Sequence, residues 1–167
     1  MDLPTRKPNR LPDFDYSTPG AYFLTICTQD KRCILGQIVG GGDFDTPQVS
    51  LSWMGEVVRH NVERSRQIAN IHVDKYVIMP NHIHLILFVD RNDIDGPSES
   101  PAPTNAIVPH YVSTLKRFCN KELGKNIFQR SYHDHVIRDE RDYLKIWAYI
   151  DNNPARWKED CFYERKM

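Results

Sequence analysis

The segment Val77-Ile78-Met79-Pro80-Asn81-His82-Ile83-His84-Leu85-Ile86-Leu87-Phe88 constrains the fold of this chain more than any other. It is two apolar, β-prone runs broken only by Pro80-Asn81, and a break of that kind between strand-like runs folds back as a hairpin. The expected strands are His72 to Met79 and His82 to Val89. In the second, Ile83, Leu85, Leu87 and Val89 share one face, and His82, His84, Ile86 and Phe88 share the other. Both faces are largely apolar, so this strand is expected at the centre of a sheet and covered on both sides. Two imidazoles then stand side by side under cover. Such a pair can capture a divalent metal or can be a hydrogen-bonded resident of a half-buried sheet, and spacing alone leaves both open.

The remaining elements follow from periodicity. Ala21 to Thr28, rich in aromatic and β-branched residues after Pro19-Gly20, reads as the first strand. Ile34 to Val39 is a weaker strand, closed by Gly40-Gly41-Gly42. Leu51, Met54, Val58 and Val62 recur at helical spacing, with Ser50 or Ser52 as a cap, giving a helix to about Arg66. Val108, Val112, Leu115, Cys119 and Leu123 mark a second helix, ended by Gly124. His133 to Ile137 is a short strand. A last helix spans Asp139 to Asn153, with Asp139, Glu140 and Asp142 at its dipole-favoured start and Pro154 at its end. The order strand–helix–strand–strand–helix–strand predicts an α+β, ferredoxin-like two-layer sandwich with an antiparallel sheet and an added C-terminal helix. Helices on one face leave the other for a site.

At 167 residues the chain fits a single domain over 1–167, with an N-terminal extension at 1–20 and a polar, proline-rich linker at 90–105. Acidic and basic residues balance at 22 each, so net charge names no partner. Locally, Lys116, Arg117, Lys121, Lys125 and Arg130 outweigh Glu122, and Arg6, Lys7 and Arg10 outweigh Asp2. These patches permit phosphate contacts and equally suit a solvated face. Cys27, Cys33, Cys119 and Cys161 form no CxxC pair, so they are read as buried, unpaired small hydrophobes in a reducing compartment. With no run near the ~20 apolar residues of a membrane span and a polar start unlike a secretory leader, we expect a cytoplasmic protein.

The last helix carries Tyr149-Ile150-Asp151-Asn152-Asn153-Pro154. Positions 149 and 153 share one helical face, so a phenol and an amide oxygen can enter one cleft. A boundary tyrosine and an asparagine that merely ends the helix explain the same residues.

Four motifs in register decide between these readings. Gly20-Ala21-Tyr22-Phe23-Leu24-Thr25-Ile26-Cys27-Thr28, Met79-Pro80-Asn81-His82-Ile83-His84-Leu85-Ile86, Phe128 to Glu140 and Tyr149 to Pro154 together resemble the single-tyrosine HUH transposases, most closely the branch called REP-associated tyrosine transposases. The likeness runs from about residue 6 to 160. It implies that the last helix is catalytic, that Tyr149 is the nucleophile, and that His82, His84 and Asn153 hold Mg²⁺ or Mn²⁺. The implied function is a strand transferase that cleaves and rejoins hairpin-forming or palindromic single-stranded DNA through a 5′-phosphotyrosine, in a cytoplasmic, nucleoid-associated setting. Arg6, Lys7, Arg10, Lys116, Arg117, Lys121, Lys125 and Arg130 are candidate DNA contacts, and Tyr16, Tyr22 and Trp157 candidate stacking surfaces. His133 and His135 offer only a weak general base. Monomer and homodimer both stay open, as does a domesticated, non-catalytic binder of repetitive palindromic DNA.

Overall fold

The computed structural model describes residues 14–16, 18–42, 45–68, 70–90 and 107–163. Arg6, Lys7 and Arg10, and all of the 90–105 linker but Asp90, lie outside the described residues. Strand β1 is Gly20–Cys27, β2 is Gly36–Val39 and β3 is Gln48–Leu51. Helix α1 (Trp53–Arg64) follows, then the two-residue β4 (Gln67–Ile68), β5 (Ile71–Met79) and β6 (His82–Val89). Helix α2 (Ile107–Leu123), β7 (His133–Ile137) and helix α3 (Glu140–Asn152) complete the order. The main sheet runs β4-β5-β6-β1-β7, every neighbouring pair antiparallel. With β4 set aside, β1, β5, β6 and β7 with α1 and α2 are the split βαβ arrangement that the sequence predicts.

Caps and periodicity explain the helix limits. Ser52 caps α1, its Oγ accepting the Gly55 N–H at 3.2 Å. Gly55 must lack a side chain, because a Cβ there would meet the Leu35 carbonyl oxygen at 2.0 Å. Gly124 ends α2 with φ +67°, a conformation that favours glycine. Asp139 caps α3 by accepting the Asp142 N–H at 2.8 Å. The core lies between the sheet and α1 and α2. Leu24, Ile26, Ile83, Leu85 and Leu87 meet Val58, Val62, Val112, Leu115 and Cys119 there. Truncating any one large aliphatic in such a core costs about 2–5 kcal/mol.

Four expectations need correction. Gln48–Leu51 is a strand that the sequence reading passed over, pairing with β2 in a separate two-stranded sheet; Leu51 therefore belongs to β3 and not to α1. The alternation of β5 is broken by a bulge between Val73 and Lys75. Without it, Lys75 would join Ile71 and Val73 on the core face; the extra residue turns Tyr76 and Ile78 inward instead. Of the cysteines, Cys27 and Cys119 are buried, but Cys33 and Cys161 are exposed, and none forms a disulfide. Tyr16 and Tyr22 are core residues, closed off from any base. Among the described residues no helix is long and apolar enough to cross a membrane.

Helix α3 packs on the face away from α1 and α2, and the bulge anchors it. Tyr143 donates to the Asp74 carboxylate at 2.7 Å. Lys75 pairs with Asp151 at 2.6 Å and lies 3.2 Å over the Trp147 ring. Only Ile150 is buried within α3, so this layer is held by polar and aromatic contacts more than by a second core.

Candidate active site

Along the α3 side of the sheet, β1 and β6 align Phe23, Thr25 and Cys27 with Ile86, His84 and His82. His82 and His84 are fully covered, 0% and 1% exposed. Their Nε2 atoms stand 2.9 Å apart. At that distance two lone pairs repel unless a proton or a cation lies between them.

The surroundings settle the protonation of His82. Asn81 in the β5–β6 turn donates its Nδ2 to the Lys31 carbonyl (3.1 Å) and the Phe162 carbonyl (2.9 Å). Its Oδ1 therefore faces His82 Nδ1 at 2.8 Å and can only accept. His82 thus carries its hydrogen on Nδ1 and presents a bare Nε2. His84 Nδ1 meets Thr25 Oγ1 at 2.8 Å, a partner able to donate or accept. The hydroxyl lets His84 either bridge to His82 through an Nε2 hydrogen or offer a second bare Nε2. Burial, with the neighbouring His84 adding to it, pushes His82 down to about 3; burial also lowers His84. Both rings are neutral, the form that ligates metals.

Tyr149, 40% exposed on α3, sends its hydroxyl into this group from 65 residues further along the same chain. Its oxygen is 3.3 Å from His84 Nε2 and donates to Asp160 Oδ2 at 3.0 Å. Burial and then the Asp160 charge raise the phenol well above its ordinary range. Asn153 is 2% exposed and donates Nδ2 to the same Asp160 oxygen at 2.8 Å, while its Oδ1 is buried with no hydrogen-bond partner. Burial alone would raise Asp160. Its contacts with His84, the Phe162 N–H and Asn153 outweigh burial and hold the carboxyl below its ordinary value.

His82, His84 and Asp160 each offer one ligand atom, all within 4.8 Å of one another. The bare Nε2 of His82, the Nε2 that His84 can bare, a carboxylate and the orphaned Asn153 oxygen form a mixed nitrogen and oxygen donor set that fits a divalent cation. The sequence reading missed Asp160, Asn81 and Thr25. Thr25 faces the histidines through the β1–β6 register, and Asn81 adjoins the motif. Asp160 has no periodic signal, because the turn Trp157–Glu159 brings it back over the site. The same segment covers the histidines: Phe162 lies 4.8 Å from the His82 ring and Trp157 5.9 Å, centroid to centroid.

The basic residues of α2 are not part of this cluster, since α2 lies on the sheet face away from Tyr149. Lys116 donates to the carbonyls of Gln129, Arg130 and Ser131 at 2.8, 3.3 and 3.0 Å, which occupies all three of its N–H groups. Lys116, Arg117 and Arg130 line a groove of about 1240 Å³; Lys121 and Lys125 are exposed outside it. His133 and His135 are exposed on β7, with His135 paired to Asp142 at 2.7 Å.

No model of a known protein family matches the chain. An uncharacterized protein of Haemophilus influenzae is 31% identical over 95% of this chain and 93% of its own length. A REP-associated tyrosine transposase of Escherichia coli K12 is 23% identical over 84% of this chain and 70% of that protein. A solved REP-associated tyrosine transposase bound to a REP hairpin superposes with TM-score 0.58 at 22% identity, covering 83% of this chain and 68% of that one. Similarity along most of the sequence, carried on a shared fold, makes this chain a homologue of the REP-associated tyrosine transposases.

Proposed function

We propose that the chain is a metal-dependent strand transferase that cleaves and rejoins hairpin-forming single-stranded DNA through a 5′-phosphotyrosine on Tyr149. The observation that carries this reading is the approach of the Tyr149 hydroxyl to 3.3 Å from His84 Nε2 and 3.0 Å from Asp160, within one chain. The homology to REP-associated tyrosine transposases and the REP hairpin held by the solved relative support DNA as the substrate.

His82, His84 and Asp160, with the free oxygen of Asn153, would hold Mg²⁺ or Mn²⁺. A cation there would draw charge from a non-bridging phosphate oxygen and offset the Asp160 charge that keeps the phenol protonated. The protein's own contribution is orientation. Asn81 and Thr25 fix the imidazoles, and β5 fixes α3 through Asp74 and Lys75. Asp160 aims the hydroxyl by accepting its hydrogen bond. Tyr149 then gives up its hydroxyl proton as its oxygen forms the bond to phosphorus, the P–O3′ bond breaks, and the departing 3′-oxygen takes up one proton in exchange, leaving a 3′-hydroxyl. The phosphodiester energy is kept in the tyrosyl ester, so an incoming 3′-hydroxyl reverses the step. Phe162 and Trp157 cover the histidines, so a phosphate reaches them only when residues 157–163 give way.

The test is a denaturation-resistant protein–DNA adduct formed from hairpin-bearing single-stranded DNA and Mn²⁺. Wild type should form it and Tyr149→Phe should not. A wild type that binds the hairpin yet never forms an adduct overturns the reading in favour of a non-catalytic binder.

A further inference from the structure

Arg141, Lys145 and Tyr149 follow one another every four residues on α3, one turn or ~6 Å apart on a shared stripe. Arg141, Leu144, Lys145 and Ala148 border a shallow depression of about 650 Å³. Lys145 and Ala148 also border a cleft of about 430 Å³ that reaches Tyr149, Arg156 and Asp160. The two hollows adjoin at Lys145 and Ala148, which line both, and together make a trough that leads from Arg141 to the candidate nucleophile.

The charge in the trough is uneven. Among the described residues Arg141 and Lys145 make no ion pair, whereas Arg156 is committed to Glu159 at 2.9 Å. Lys145 contributes to lowering the Asp142 carboxyl, behind the first contribution from His135. The acids at the borders are Glu140 at one end and Glu159 and Asp160 at the other. Glu159 is bound to Arg156, and Asp160 to Tyr149 and Asn153. Two free cations in line with the phenol remain, beside a Leu144 side chain 57% exposed. Evenly spaced cations leading to a phosphorus-attacking group match a phosphodiester chain, and an exposed apolar neighbour suits the face of an unpaired base.

We propose that this trough is the track of the single-stranded DNA flanking the cleaved bond, with Lys145 on the phosphate next to the one attacked and Arg141 on the one beyond. The assignment rests on the strand-transferase reading and adds two contact residues that the sequence reading did not select. The test uses the Tyr149→Phe protein, so that binding is read without cleavage. A labelled single strand carrying a hairpin and its flank is titrated at several salt concentrations.

Lys145→Ala combined with Arg141→Ala should weaken binding about tenfold or more at low salt. The slope of log affinity against log salt should fall by about 1.4, or about 0.7 for each lost single-strand phosphate contact. Lys145→Arg should keep the wild-type slope. Arg59→Ala, which removes one charge from α1, should leave it unchanged. An unchanged slope in the double variant, or an equal loss in Arg59→Ala, overturns the track. A tyrosine-intact protein that forms no adduct would instead sink the strand-transferase reading, whatever the slope shows.

Discussion

This chain contains two His-x-His motifs, and only one of them builds a site. His82-Ile83-His84 lies on β6, flanked by β5 and β1, with an apolar residue at its centre directed into the core. His133-Asp134-His135 lies on β7, at the sheet's edge, paired on one side only. The same spacing gives both pairs a common face, the one turned toward α3. In the central strand that face is roofed by Tyr149, Phe162 and Trp157, and the imidazoles lose their water and converge on one point. On the edge strand His135 stays exposed and bonds to Asp142, and His133 packs 5.9 Å from the Phe162 ring. Spacing creates a pair; strand position and the neighbours of each ring decide whether that pair can ligate a metal.

The largest contrast should appear in catalysis. His82→Ala or His84→Ala should lower the rate of adduct formation with Mn²⁺ by at least about a hundredfold, as loss of a buried metal ligand would. His133→Ala and His135→Ala should stay within a few-fold of wild type. Equal losses at both motifs would erase the distinction.

A smaller effect should follow from loosening the tautomer lock. Asn81→Ala leaves the His82 Nδ1 hydrogen without its acceptor. Mn²⁺ affinity, read by titration calorimetry, should drop roughly 10–100-fold, as second-shell losses do. Unchanged affinity would show that the lock is not needed.

Acid should separate the motifs through stability. Burial lowers His82 from near 6.5 to about 3, so the unfolded chain holds this proton more tightly than the folded one. Its contribution is therefore complete above pH 6.5 and is lost as pH falls toward 3, at up to about 1.4 kcal/mol per pH unit. His84 acts in the same direction. Thermal melting of metal-free protein should show this slope, and His82→Gln should flatten it. A slope that persists in His82→Gln and His84→Gln would place the titrating groups elsewhere. The smallest effect is expected on β7, where His135→Ala should cost less than about 1 kcal/mol, as exposed ion pairs do.

What the sequence disclosed follows the same division. Along β6 every second residue is apolar toward the core without interruption, so face, burial and central placement could all be read in advance. In β5 the run Ile71, Val73, Val77, Met79 looks just as regular, yet the bulge at Asp74 shifts its second half to the other face. A bulge depends on the partner strand and leaves no local periodic signal. Gln48-Val49-Ser50-Leu51 holds too few apolar residues to show as a strand without β2 beside it. Tyr149 and His84 were joined by the family resemblance, since nothing local relates two residues 65 positions apart. Asp160 was invisible because a chain reversal places it, and Lys116 passed for a free cation because its three carbonyl partners come from a loop.

The claim beneath all of this is that one polypeptide brings a phenol and two neutral imidazoles to a single phosphorus. The direct measurement is tandem mass spectrometry of the peptide left attached to DNA after cleavage of a hairpin-bearing strand with Mn²⁺. We expect the 5′-phosphate on Tyr149. A phosphate mapped to Tyr143, to a serine or to any other side chain would contradict the account.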